Sequence, residues 1–100
     1  MKVKLDTQLK DLDGNPILEQ AGTLKKEMVL RSVAVNALLA PHAGEDNLDG
    51  TEKVARYELA MRLHKGGEQE LTPEEAAKIR ELVAKLYTPL VVGQVYKLVA

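Results

Sequence analysis

Two Thr-Pro pairs, Thr72-Pro73 and Thr88-Pro89, constrain the fold of the last third of the chain more than any other sequence feature. A threonine side chain accepts a hydrogen bond from the first turn of a helix. Proline suits the first helical position because the N–H that it lacks would have no partner there. Glu75 supplies the acid that completes a capping box with Thr72. The sequence therefore predicts one helix after Thr72 and another after Thr88.

The segment between these pairs has the periodicity of a helix with one buried face. Apolar residues recur three and four positions apart, and charged residues occupy the other side. The predicted core positions are Ala76, Ile79, Leu82, Val83, Leu86 and Tyr87. Residues 90–100 are ambiguous, because their valines favour a strand whereas the Thr-Pro opening favours a helix. We predict a helix there.

The first helix of the chain is predicted over residues 24–40, with Thr23 as its cap and Pro41 as its end. The helix stops there because the residue before a proline avoids the helical conformation. Its second half is apolar on most sides, which is typical of a helix at the centre of a domain. A polar loop over residues 41–50 follows it.

The second helix, predicted over residues 52–65 with Thr51 as its cap, has two apolar ridges. The first ridge contains Val54, Tyr57, Ala60 and Met61, and the second contains Leu59 and Leu63. A helix with two ridges either lies between other elements or buries one ridge and offers the other to a partner.

The first residues of the chain alternate between apolar and polar positions, as in a half-buried strand with Val3 and Leu5 on one face. Asp13-Gly14 is typical of a tight turn. Pro16 keeps the returning segment short or at an edge, because proline donates no hydrogen bond to a sheet. These features predict a small hairpin.

Together the elements predict a mainly α protein with a small N-terminal β-hairpin, an α+β fold with about four helices in one domain. The hairpin covers residues 1–20 and the helical bundle covers residues 23–100. No apolar segment approaches the roughly 20 residues that a membrane span needs. We expect a cytoplasmic protein, since no signal-peptide core follows the N-terminus.

The sequence predicts no catalytic, metal or cofactor site. Cysteine is absent, which excludes thiol catalysis and cysteine-bearing zinc sites. Two acidic segments imitate a calcium loop, but Pro16 stands where the first needs glycine, and Arg56 stands where the second needs glutamate. His42 and His64 lack the partners of a metal site or a catalytic triad. We therefore expect a protein that is not an enzyme.

Apolar helix surface is the better indication of function. The first, second and fourth helices carry more of it than a domain of 100 residues is expected to need, which favours binding to another protein or to a second copy. The residues predicted to bind that partner are Leu59, Leu63 and Tyr96. The opposing interpretation, in which all apolar ridges are buried inside one domain, stays open.

Binding to nucleic acid is the alternative function. Its candidate residues are the basic ones of the second helix, Lys53, Arg56, Arg62 and Lys65. These cations are interleaved with Glu52 and Glu58, and the net charge of the chain is only -1. Both features disfavour the electrostatic attraction on which nucleic-acid binding depends.

Five short segments, spread over most of the length of the chain, carry a resemblance. They are residues 11–17, 36–39, 56–60, 70–75 and 85–96, of which the last is the most distinctive. In these segments the chain resembles a group of small proteins encoded by bacteriophages and prophages, whose function is unassigned. The resemblance implies a setting, the cytoplasm of a bacterial host, and transfers no catalytic or binding residue.

Overall fold

The computed structural model describes the backbone of all 100 residues and every side chain except those of Gln20 and Ala21. In chain order its elements are β1 (Lys2–Lys4), β2 (Leu18–Ala21), β3 (Leu24–Glu27), α1 (Leu30–Leu39), α2 (Gly50–His64), β4 (Glu68–Glu70), α3 (Pro73–Leu86) and α4 (Pro89–Leu98). The predicted fold class, a mainly α protein with a small amount of β structure, is confirmed. Residues 90–98 are helical, as the Thr-Pro opening indicated.

The strands pair differently from the predicted hairpin over residues 1–20. β1 lies antiparallel to β4, which the chain reaches only after two helices, and Val3 lies opposite Gln69. Val3 and Leu5 are buried, as their alternation predicted. β4 has the sequence Glu-Gln-Glu and therefore carries no apolar pattern that could have revealed the pairing.

The predicted turn at Asp13-Gly14 is present, but it does not connect two strands. Gly14 has a φ of 86°, the left-handed conformation that glycine adopts without steric cost. The turn closes an isolated bridge between Lys10 and Pro16. The Asp11 N–H donates to the carbonyl of Asn15 at 2.8 Å, and the Ile17 N–H donates to the carbonyl of Leu9 at 3.0 Å. The hairpin of this fold instead joins β2 to β3.

α1 begins at Leu30 and not at Leu24, so Thr23 is not its cap. The predicted first turn of the helix forms β3, where pairing with β2 overrides its helical propensity. Ser32 stabilises the true start: its hydroxyl donates to the carbonyl of Val29 at 2.9 Å and accepts from the Val29 N–H at 3.4 Å.

α2 begins two residues earlier than its predicted cap implies. Asp49 is the N-cap, and its carboxylate accepts a hydrogen bond from the Thr51 N–H at 3.1 Å. Thr51 therefore lies inside the first turn, and the prediction that it caps the helix is wrong. Gly66 and Gly67, both with a φ of 73°, follow the helix and turn the chain into β4.

α3 follows its predicted pattern most closely. The Thr72 hydroxyl accepts from the Glu75 N–H at 3.1 Å, and the Glu75 carboxylate accepts from the Thr72 N–H at 2.9 Å, which is the predicted capping box. The predicted core residues Ala76, Ile79, Leu82 and Val83 are buried. Leu86, which was also predicted to be in the core, is exposed, whereas Tyr87 is partly buried and packs against the core.

The two threonines make a matched test of helix capping. We expect Thr72→Ala to lower the free energy of unfolding by about 1 kcal/mol, because it removes the acceptor for the Glu75 N–H. Thr51→Ala is expected to change it by less than about 0.5 kcal/mol, since the hydroxyl of Thr51 caps nothing. Urea denaturation measures both values, and equal losses would contradict the assignment of Asp49 as the cap of α2.

One hydrophobic core lies between the helices and the N-terminal segment. α1 packs against α2 and α3, and α4 packs against α3. Val3, Leu5 and Leu9 of the N-terminal segment reach the same core. This packing holds α2 along one side only. Within the part of the chain that the structure describes, no helix has both the length and the apolar character to cross a bilayer.

Candidate interaction surface

The second apolar ridge of α2 belongs to the core. Leu59 and Leu63 are 7% and 0% exposed and pack in the hydrophobic cluster of the domain. The prediction that these two leucines bind a partner is therefore wrong, since both are already covered by their own chain. Because these two leucines are buried, one ridge of the helix faces the core and the other ridge points away from it.

The other ridge of α2 faces solvent. Val54, Tyr57 and Met61 are 54%, 55% and 53% exposed. They follow one another at spacings of three and four residues, so they lie along one line on the helix surface, on the side away from Leu59 and Leu63. Ala60, which the sequence placed on the same ridge, is buried at its edge. We call Val54, Tyr57 and Met61 the outer stripe.

Two charged side chains of opposite sign border the outer stripe. Lys53 lies along one edge of it and Glu58 along the other, and both are exposed. Neither forms an ion pair or a side-chain hydrogen bond with any side chain that the structure describes. The stripe thus has an apolar centre with Lys53 along one margin and Glu58 along the other.

Arg56 anchors the opposite side of α2 to the loop over residues 41–49. Its guanidinium donates to both carboxylate oxygens of Glu45, at 2.8 and 2.7 Å, and its Nε donates to Glu52 at 3.2 Å. Lys78 of α3 lies 2.7 Å from the same Glu52 oxygen. Two carboxylates and two cations therefore form one network that ties the loop, α2 and α3 together. A bidentate Arg–carboxylate pair is the strongest geometry of this kind.

The network shifts the pKa values of Glu45, Glu52 and Arg56 in the directions that favour their charged forms. The hydrogen bond from Arg56 lowers the pKa of the Glu45 carboxyl. The hydrogen bond from Lys78 is the main cause that lowers the pKa of Glu52, and the bond from Arg56 adds to it. Pairing with Glu45 raises the pKa of Arg56. These three groups are therefore charged at neutral pH.

The four basic residues proposed to bind nucleic acid do not form a common surface. Arg56 is buried and occupied by Glu45 and Glu52. Arg62 donates to Glu75 at 2.9 Å. Only Lys53 and Lys65 stay exposed without an acidic partner among the described side chains. Two single cations are a weak basis for neutralising a phosphate backbone.

A cleft of about 390 Å³ lies where the loop over residues 41–49 meets α1 and α2, and His42, Lys53 and Arg56 contribute to its lining. His42 is buried, and its Nε2 donates to the carbonyl of Ala37 at 2.8 Å. Among the described side chains, no buried polar atom is left without a hydrogen-bond partner. The two buried polar side chains of the cleft, His42 and Arg56, are therefore hydrogen-bonded, and their bonds hold the loop in place.

Tyr96 is the third residue predicted to bind a partner, and its environment differs from that of Leu59 and Leu63. It is on α4, which packs against α3, and it is 46% exposed. Its neighbour Gln94 holds the helix to the N-terminal segment, since the Gln94 amide donates to the carbonyl of Lys10 and accepts from the Lys10 N–H. Tyr96 is thus free to contact a partner, whereas Leu59 and Leu63 are not.

Among the described residues, no three His, Asp or Glu side chains come together in a group that could hold a metal ion. The acidic segment over residues 45–50 instead supplies Glu45 to the Arg56 network and Asp49 to the cap of α2. Comparison of the chain with protein-family models, with curated proteins and with solved structures gave no match.

Proposed function

We propose that this chain is a non-enzymatic protein–protein interaction module that binds its partner through the outer stripe of α2. One observation carries the proposal: Val54, Tyr57 and Met61, each more than half exposed, lie in line on a helix whose opposite face is locked into the core. Fully burying a large apolar side chain contributes roughly 1.5–3 kcal/mol, so a partner that covers this stripe gains several kcal/mol.

The support beneath the stripe favours this role. Leu59 and Leu63 anchor α2 in the core, and Arg56 joins it to Glu45 and Glu52. A helix held in this way loses little conformational entropy when a partner docks, and rigid surfaces bind more tightly for that reason. Tyrosine and methionine are also among the residue types enriched in the centres of protein interfaces.

The resemblance to small phage and prophage proteins supplies the setting of the proposal. In that setting the chain acts in the cytoplasm of a bacterial host as an accessory or assembly factor, without a cofactor or metal of its own. The activity is then binding itself, and the residues that carry it are those of the outer stripe.

Site-specific photo-crosslinking in bacterial cells tests the proposed function. A photoreactive phenylalanine analogue at position 57 is expected to give a discrete crosslinked product, because Tyr57 lies in the centre of the stripe. The same analogue at position 12 is the matched control, since Leu12 is 94% exposed but lies in the polar turn near Asp13. The proposal is overturned if position 57 gives no product or only the products that position 12 also gives.

A further inference from the structure

We propose that the partner of the outer stripe is a second copy of this chain, and that the two α2 helices pack side by side in parallel about a two-fold axis. This inference rests on the proposed function and deepens it, because it assigns one occupant to the stripe. Two features of α2 support it: the spacing of the stripe and the arrangement of the free charges beside it.

The spacing of the stripe is that of a coiled-coil seam. Val54, Tyr57 and Met61 occupy successive a, d and a positions of a heptad, and the next d position is His64, which is also exposed. Two helices that share this spacing pack their side chains into one another over two heptads. A two-fold dimer places the same patch on both copies, so a single stripe suffices to build the whole interface.

The charges beside the stripe match a parallel pairing. Lys53 occupies a g position and Glu58 occupies the following e position, five residues later. In a parallel pair these two positions face each other across the seam, so Lys53 of each copy meets Glu58 of the other, which makes two ion pairs. Neither residue is paired with a described side chain of its own chain, so both are available.

The antiparallel arrangement lacks this complementarity. When two such helices run in opposite directions with Tyr57 at the centre, each edge of the stripe meets the same edge of the other copy. Glu58 then lies against Glu58 of the second copy, and like charges at such positions oppose association. The charges therefore select the parallel arrangement.

Sedimentation equilibrium of the purified full chain over a range of concentrations tests this inference. We expect a monomer–dimer equilibrium that Tyr57→Glu shifts to monomer, because it places a carboxylate in the seam. Lys53→Glu and Glu58→Lys are each expected to weaken the dimer about tenfold, since each replaces two attractive pairs with two repulsive ones. Circular dichroism confirms that each variant is folded.

The single charge variants separate the two arrangements, because in an antiparallel pair each substitution replaces one contact between like charges with another. A dimer that neither single variant weakens therefore contradicts the parallel arrangement. A mixture of the two variants then tests whether the loss arises from charges that meet across the interface. In a parallel heterodimer of Lys53→Glu with Glu58→Lys, both ion pairs form again, one with its original sign and one reversed, so the mixture is expected to associate about as tightly as the unaltered protein. A dimer whose charge variants show no rescue on mixing overturns the parallel arrangement.

The two proposals fail differently in these experiments. A chain that stays monomeric at every concentration overturns the second copy as partner. In that case a crosslink from position 57 to a different protein leaves the proposed function intact. The absence of both the dimer and the crosslink overturns both proposals.

Discussion

Leu63→Ala is expected to lower the free energy of unfolding by about 2–5 kcal/mol. Leu63 is completely buried in the core beneath α2, so its truncation removes apolar contacts and leaves a cavity that the surrounding helices cannot fully close. Because small domains are stable by only about 5–15 kcal/mol, a loss of this size is a large part of the total. Urea denaturation at neutral pH measures it.

Met61→Ala is the matched control for this loss. Met61 lies two residues before Leu63 on the same helix but is more than half exposed. We expect its truncation to change the free energy of unfolding by less than about 1 kcal/mol, because most of its surface is already in water. Equal losses for the two variants would contradict the division of α2 into a core ridge and an outer stripe.

Arg56→Met is expected to lower the free energy of unfolding by about 1–3 kcal/mol. Methionine keeps the aliphatic packing of the side chain but removes the guanidinium, so Glu45 and Glu52 lose the cation that lies between them. Urea denaturation at neutral pH measures the change. Lys65→Met is the control, since Lys65 is exposed and has no acidic partner among the described residues. A change as small as that of the control would show that the network contributes little.

The same variant changes how stability depends on pH. The pKa values of Glu45 and Glu52 are lowered in the folded protein below their ordinary 4.5, so their ionised forms contribute stability above that pH. This contribution is lost as the pH falls from 4.5 through the lower folded values. We expect Arg56→Met to lose less stability than the unaltered protein between pH 7 and about pH 3.5. The pKa of Glu75, lowered mainly by Arg62, keeps part of the acid sensitivity in both proteins.

These results bear on function because the two sides of α2 have separate roles. Leu63 and Arg56 position the helix, and changes there are expected to act on binding only through unfolding. Tyr57 and the charges beside it, Lys53 and Glu58, contact water in the isolated chain, and changes there are expected to alter association without loss of fold. A variant series that affects both properties together at Tyr57 would contradict this separation.

The best predictions from the sequence concern features whose causes lie close together along the chain. The capping box of Thr72 and Glu75 spans three residues, and its geometry follows from backbone groups that any helix start exposes. The helical state of α4 agrees with Thr88-Pro89, where Pro89 lies in the first turn as predicted, but Thr88 is an N-cap whose side chain makes no capping hydrogen bond. The turn at Asp13-Gly14 formed as well, because glycine at this position tolerates a positive φ wherever the flanking segments go.

The two ridges of α2 were visible in the sequence, but their environments were not. Periodicity shows that Leu59 with Leu63 and Tyr57 with Met61 lie on different faces, whereas burial depends on which face meets α1. The environment of Arg56 could have been inferred from the sequence. Two acidic residues are close to it along the chain: Glu45 in the preceding loop and Glu52 in the first turn of α2. The position of Arg56 on the same side as the leucines indicates that this side faces protein.

The local sequence determined where α3 and α4 begin, most of the residues that α3 buries in the core, and that the chain is mainly helical. Tertiary structure alone decided that β1 pairs with β4, that Leu24–Glu27 is a strand before α1, and that Val54, Tyr57 and Met61 are the exposed ridge. The physical reason is the same in each case. Caps and turns satisfy backbone groups of neighbouring residues, whereas strand pairing and burial depend on segments that meet only when the whole chain has folded.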